Sequence, residues 1–217
     1  MKKEPVIKVL NVSSNKENYS QRNNKIDPGI TCNTTSMAMA LDYNGYKMPT
    51  KQGNQPEDDL TVFVRTDQRV LDFYKAKMPV MYDAFIKKET GFYWPNEVHD
   101  VLSFATNLYM GTNCTTFRTN VSMDELLNEI KSGRACVLSG KFGKLNHIVC
   151  LVGFVLTDDV ITEAIIDDPY GDYHKGYVAG TSGNDVHLTI NEFYSIFKPF
   201  GNGPKYAHLF KTPAAVV

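Results

Sequence analysis

A nucleophile, a base and an orienting acid occur in this chain where elements should begin or end. Cys32 opens the run CNTTSMAMALDY (32–43), made largely of helix formers and packers and stopped by Asn44-Gly45. Thr31 stands where an N-cap would. A helix N-terminus carries about half a positive charge and unsatisfied amide N–H groups, and both favour a thiolate. A thiolate attacks acyl carbons, provided a base takes its proton and a third group orients the base. His147 begins the run HIVCLVGFVL (147–156), and Asp168 ends VITEAIIDD (160–168). Antiparallel strands joined by so short a connection put the start of the first beside the end of the second. His147 and Asp168 are therefore expected as neighbours at one end of a sheet, and the chemistry would be cysteine-dependent acyl transfer. Each residue also has a plainer reading: a small core cysteine, a surface histidine, and a turn at Asp168-Pro169-Tyr170-Gly171. Asp167 competes with Asp168, because neighbours on a strand point to opposite faces and only one can meet the histidine.

The elements that would position these groups follow from local pattern. Residues 11–31 are polar and end in the turn chemistry of Asp27-Pro28-Gly29. The 32–43 helix is apolar almost all round, which predicts a buried, central position. Residues 46–60, with Pro49, Gly53 and Pro56, read as loop, and 61–110 as helix in pieces. Pro95 suits a helix that starts near Asn96. SMDELLNEIK (122–131) opens with a capping box, Ser122 and Glu125, and Gly133 ends it. After Gly133 the pattern changes to β-branched and apolar runs at 135–140, 147–156 and 160–168, which read as consecutive antiparallel strands. The near-continuous run 148–156 implies a central strand covered on both faces. The tail after Pro199 reads as irregular. The expectation is an α+β fold in one domain, 1–217, with a helical lobe over about 19–131 and a sheet lobe over about 134–217.

Composition narrows the function. The 217 residues carry 23 basic and 24 acidic side chains, a net charge of −1, which excludes the broad basic surface of a dedicated nucleic-acid binder. Mean hydropathy is −0.29 and no run reaches membrane-spanning length, so no membrane partner is expected. Val6–Leu10 is too short and interrupted for a signal peptide, so synthesis in the cytoplasm is expected. Four cysteines without a CxxC spacing argue against a disulfide scaffold, a zinc ribbon or a redox dithiol. Cys114, Cys136 and Cys150 read as structural. The Asn-x-Ser/Thr sites at Asn11, Asn18, Asn33, Asn113 and Asn120 read as turn and cap residues. Glu163, Asp167, Asp168 and Asp172 fit no EF-hand spacing, and neither a metal nor a cofactor is expected. Phe92-Tyr93-Trp94 is either a wall for substrate stacking or a satellite core.

Three segments together resemble a known family. Gln21…Pro28-Gly29-x-Thr31-Cys32-Asn33-x-Thr35-Ser36-Met37-Ala38-Met39 resembles the nucleophile motif of papain-like cysteine peptidases of the bacteriocin-leader-peptidase-like branch. Asn146-His147-Ile148-Val149-x-Leu151-Val152-Gly153-Phe154 is similar to its histidine strand, and Ile166-Asp167-Asp168-Pro169-Tyr170-Gly171 to its third motif. The Asp-Pro-Tyr-Gly flavour and the long helical insert are similar to phage and bacterial cell-wall hydrolases of that branch. The resemblance implies a papain-like fold with Cys32 as nucleophile, His147 as general base and acid, and Asp168 rather than Asp167 as the orienting carboxylate. It also implies Gln21 as an oxyanion donor beside the backbone N–H of Cys32. Gln21 lies farther from the cysteine than the family spacing, which leaves Asn23 and Asn24 as alternatives. The expected substrate is a peptidoglycan peptide, cleaved by a phage endolysin or virion-associated lysin that reaches the wall by holin-mediated release or on a virion. An intracellular peptidase or deamidase acting on a protein substrate is the alternative within enzymes, and a catalytically silent binding module of the same fold is the alternative outside them.

Overall fold

The protein is described by a computed structural model that covers residues 4–13, 16, 18–197 and 206–213. Its centre is β4 (Leu145–Thr157), a 13-residue strand. One edge of β4 pairs with β5 (Val160–Asp167). The other edge is shared. The first half of β4 pairs with β3 (Cys136–Phe142) and the second half with β1 (Ile7–Asn11), all antiparallel. The hairpin between β4 and β5 turns on Asp158 and Asp159, with φ of 49° and 63°, the left-handed pair that a tight two-residue turn requires. The sheet runs β2 (Thr115–Arg118), β7 (Tyr206–Phe210), β3, β4, β5, β6 (Val186–Thr189).

Helices cover both faces, and this explains the unbroken apolar run of β4. On one face α1 (Cys32–Tyr43) packs with α2 (Pro56–Thr66), α3 (Gln68–Lys77) and α5 (His99–Met110), burying Ile148, Cys150 and Val152 of β4. On the other face α6 (Met123–Lys131) and α7 (Ile190–Ile196) bury Val149, Leu151 and Phe154. Neighbours along the strand thus enter opposite cores. On the α1 side, α4 (Pro79–Lys87) has no fully buried residue and packs half-buried Met81, Tyr82 and Phe85 against the core. Among the described residues no helix is long and apolar enough to cross a membrane.

The architecture is α+β, as the runs imply, and α1 occupies the predicted 32–43. Several local expectations need correction. Pro56 does not belong to a loop: it is the first residue of α2, where its missing N–H costs nothing. The helix expected near Asn96 is a 3-10 turn, Pro95–Glu97, followed by α5 from His99. Part of the supposedly irregular tail, Tyr206–Phe210, is β7, inserted between β2 and β3. That strand and the short β1, β2 and β6 carry too few alternating residues to stand out locally. Tertiary pairing makes them strands. The capped helix at 123–131 lies on the face opposite α1, although it follows the helical stretch in sequence.

Candidate active site

α1 is held against β4 by polar bonds as well as packing. Ser36 Oγ donates to the Ile148 carbonyl at 3.0 Å. At the far end Asn44 exchanges two hydrogen bonds with the backbone of Ala135, at 2.9 and 3.1 Å. Cys32 and Ser36 are one helical turn apart and share a face. Fixing Ser36 on Ile148 therefore places Cys32 beside the residue before it, His147. Thr31 occupies the N-cap position without a capping side-chain bond. Its hydroxyl donates to the Asp27 carbonyl at 3.2 Å, while the Thr34 N–H of the first turn donates to Asn33 Oδ1 at 2.7 Å.

The hairpin supplies the other half. Cys150 pairs with Asp167 across β4 and β5, so the residue that follows, Asp168, reaches back towards the start of β4. His147 Nε2 and Asp168 Oδ1 lie 2.7 Å apart, and the remaining ring nitrogen is left for the Cys32 thiol, which also hydrogen-bonds the imidazole. Burial is the largest single influence on His147 and lowers its pKa. The hydrogen bonds and negative charges of Asp168 and Cys32 together outweigh burial and hold the imidazole up at about 10. Asp167 points the other way. It accepts from the Tyr43 hydroxyl at 2.7 Å and from the Asp185 N–H at 2.8 Å, and burial raises its carboxyl to about 6.

Asp168 is the most heavily supported side chain of the site. Besides His147, its Oδ1 accepts the Tyr170 N–H at 2.8 Å, and its Oδ2 accepts the Tyr177 hydroxyl at 3.0 Å. Tyr177 sits at φ 60°, an uncommon conformation for a tyrosine. Arg22 clamps this loop: Nε donates to the Tyr170 carbonyl and Nη2 to the Tyr177 carbonyl, both at 2.6 Å, while the guanidinium lies 4.0 Å from the Tyr170 ring centroid. The Asp168 N–H donates to the Gly183 carbonyl at 2.8 Å. A Cβ on Gly183 would stand 2.0 Å from the Asp168 carbonyl oxygen, so only glycine permits this approach.

Of the three candidate oxyanion donors, Gln21 alone lines the cleft that holds Cys32 and His147. Its Nε2 donates one hydrogen to the Pro28 carbonyl at 2.8 Å, which fixes the orientation of the amide and leaves the second hydrogen free for a ligand. The Gln21 N–H donates to the Pro169 carbonyl at 2.9 Å, tying this segment to the Asp168 loop. Asn24 is already committed, donating to Thr31 Oγ1 at 2.9 Å and Thr35 Oγ1 at 3.0 Å. Asn23 is exposed and borders a different depression. The cleft has a volume of about 430 Å³. Tyr93, Glu97 and His99 line it together with Lys141 and Leu145 of the β3–β4 end.

The aromatic cluster resolves into two parts. Trp94 packs against Phe85 and Phe92 with Arg65 stacked 4.1 Å from its centroid, a satellite core, whereas Tyr93 faces the cleft. Arg65 also pairs with Asp27 and donates to Asn96 at 2.8 Å, and Asn96 donates to Asn33 at 3.0 Å, bracing the first turn of α1 from behind. Cys114, Cys136 and Cys150 are fully buried, and Cys32 is the half-exposed thiol. Among the described residues no group of three His, Cys, Asp or Glu side chains is placed to hold a metal. Tyr177 and Arg22 carry no signal in local pattern, because their partners lie on other segments.

Residues 14–201 match the Peptidase_C39 like family. The fold is similar to that of a Bacillus anthracis chain solved under the designation of a C39-like peptidase. The TM-score is 0.57 at 17% identity, over 95% of this chain and 100% of that one. No curated protein matches the chain. A cysteine and a histidine in contact, an aspartate behind the histidine, and a match over most of the chain agree: the protein belongs to the Peptidase_C39-like family of cysteine peptidases.

Proposed function

We propose that the protein hydrolyses amide bonds in the peptide moiety of peptidoglycan through a thioester on Cys32. The observation that carries the chemistry is the buried His147–Asp168 contact at 2.7 Å with the imidazole hydrogen-bonded to Cys32 on a cleft wall. His147 takes the thiol proton, and the sulfur attacks the scissile carbonyl carbon. The resulting oxyanion is met by the Cys32 backbone N–H at the helix start and by the second hydrogen of Gln21 Nε2. Collapse breaks the C–N bond, and the leaving amine takes its proton from His147. A water then loses a proton to His147, attacks the thioester and releases the acid and the thiol. Asp168 keeps the ring oriented and stabilises the imidazolium throughout.

The cell-wall substrate is supported by the likeness of Asp168-Pro169-Tyr170-Gly171 to phage and bacterial wall hydrolases, and by an open cleft with room for a peptide. As a lysin the protein would reach the wall through a holin-made lesion or on a virion. Purified sacculi incubated with the wild type should release soluble fragments, and their masses identify the bond. The Cys32→Ala variant should release less than about 1% as much. Wall fragments at the wild-type rate from Cys32→Ala would remove the nucleophile. No fragments from any wall, with Cys32 still reactive to iodoacetamide, would move the substrate to a protein or peptide.

A further inference from the structure

Half-buried His99 and buried His208 form a pair that the acyl-transfer steps do not use. His99 Nδ1 and His208 Nε2 lie 3.0 Å apart. The His99 ring stacks on Phe117, with centroids 4.8 Å apart and planes 4° apart, and on Tyr206, at 5.7 Å and 19°. His208 is sealed in the interior and its Nδ1 has no protein partner. One side of His99 lines the cleft that holds Cys32.

The geometry fixes where the protons are. Two ring nitrogens at 3.0 Å share one proton, so one donates and the other accepts. If His208 carried its proton on Nδ1, a buried N–H would stand without an acceptor, the rarest kind of orphan in folded proteins. The proton therefore sits on His208 Nε2 and is donated to His99 Nδ1. His99 must then carry its own proton on Nε2, which has no partner among the described residues. Burial holds both rings neutral: it lowers the His99 pKa to about 4 and that of His208 well below its ordinary value. Asp100 raises the His99 pKa, by less than burial lowers it, and His99 adds to the lowering of His208.

We propose that His99 is a substrate-binding residue whose neutral Nε2–H donates to a backbone carbonyl of the peptide lying in the cleft, with His208 as the positioning residue that fixes its tautomer. A neutral carbonyl suits a neutral donor in a cleft whose lining charges, Glu97 and Lys141, are opposite in sign. This rests on the reading of Cys32 as the nucleophile of that cleft.

Two measurements on the full chain test it. Long-range proton–nitrogen NMR correlations should show both rings neutral and protonated on Nε2 between about pH 5 and pH 8. A proton on Nδ1 of either ring would overturn the assignment. Alkylation then tests the contact, with iodoacetamide, which has no peptide chain to lie along the cleft, against acetyl-dialanyl chloromethyl ketone, which carries peptide carbonyls. His99→Phe keeps the aromatic stack and removes the donor. It should leave the iodoacetamide rate within about twofold and lower the second-order rate of the peptide reagent about tenfold, the loss expected for one hydrogen bond. Equal peptide-reagent rates in the two proteins, or a parallel loss of both rates, would assign His99 to packing alone and overturn the proposal. If neither reagent modifies Cys32 in the wild type, the nucleophile reading itself fails and takes the inference with it.

Discussion

Four thiols of identical intrinsic chemistry are separated here by their surroundings. Burial pushes Cys114 up to about 11 and raises Cys136 and Cys150 further, whereas Cys32 opens on a cleft. Native protein treated with iodoacetamide near neutral pH should therefore be modified once, at Cys32. Peptide mapping that found a second labelled cysteine before unfolding would contradict the buried environments. The histidine sets the pH range. The proton that Asp168 and Cys32 hold on His147 up to about 10 is the one that the proposed mechanism passes to the leaving amine. The alkaline limb of kcat/KM is accordingly expected near that value. Asp168→Asn removes the orienting charge, so the limb should move to lower pH and kcat should fall by about 10²–10⁴. An unmoved limb in the variant would show that Asp168 does not control the imidazole.

At the scale of elements, the site is assembled by three devices: the Ser36 bond that sets α1 on β4, the tight hairpin at Asp158-Asp159, and the loop that returns from Asp168 to Gly183. The third is the least forgiving. Gly183→Ala would drive a methyl into the Asp168 carbonyl, while the same change at Gly176, where φ is 64° but the space is open, meets no atom. Gly183→Ala should lower the melting temperature more than Gly176→Ala and should also cut activity at temperatures where both variants are fully folded. If the two variants behave alike in melting temperature and turnover, the close approach is not what holds Asp168. The clamp of Arg22 on the Tyr170 and Tyr177 carbonyls makes the same loop depend on the segment before Cys32. The candidate oxyanion donor and the candidate orienting acid are thus mechanically joined through adjacent residues, Gln21 and Arg22.

For the molecule as a whole, the site has a cost and a benefit that pH can expose. The folded His147 pKa of about 10 lies above its ordinary 6.5. The native state therefore holds a proton that the unfolded chain releases across that window. The stabilisation is complete below about 6.5 and is lost as pH rises through about 10. Melting temperature should fall over that range, and the fall should be smaller in His147→Gln, which cannot titrate. Identical slopes in the two proteins would mean that the proton on His147 is not linked to folding. Asp167 works in a lower window. Its raised carboxyl stabilises fully below about 3.8 and loses that contribution as pH rises through about 6.

What could be read before folding was local or carried by pattern. The span of α1 followed from its apolar composition and its Asn44-Gly45 stop, and the central place of β4 from an apolar run too continuous for a one-sided strand. The capping box at Ser122 and Glu125 forms as written, with the Ser122 Oγ accepting the Glu125 N–H at 3.2 Å. The adjacency of His147 and Asp168 needed only a short antiparallel connection, and the order of the motifs was enough to suggest the family. Other features depended on partners far along the chain. β7 is a strand because β2 and β3 flank it, and Trp94 leaves the cleft because Phe85, Phe92 and Arg65 surround it. Gln21 rather than Asn24 is left as the candidate donor at the cleft because Thr31 and Thr35 consume both hydrogens of the Asn24 amide. The same holds for the tyrosine that supports Asp168 and for the histidine pair beside the cleft. Periodicity and capping act within a few residues and are written in the sequence, whereas which polar atoms remain unpaired depends on every segment that packs around them, and only the tertiary structure decides it.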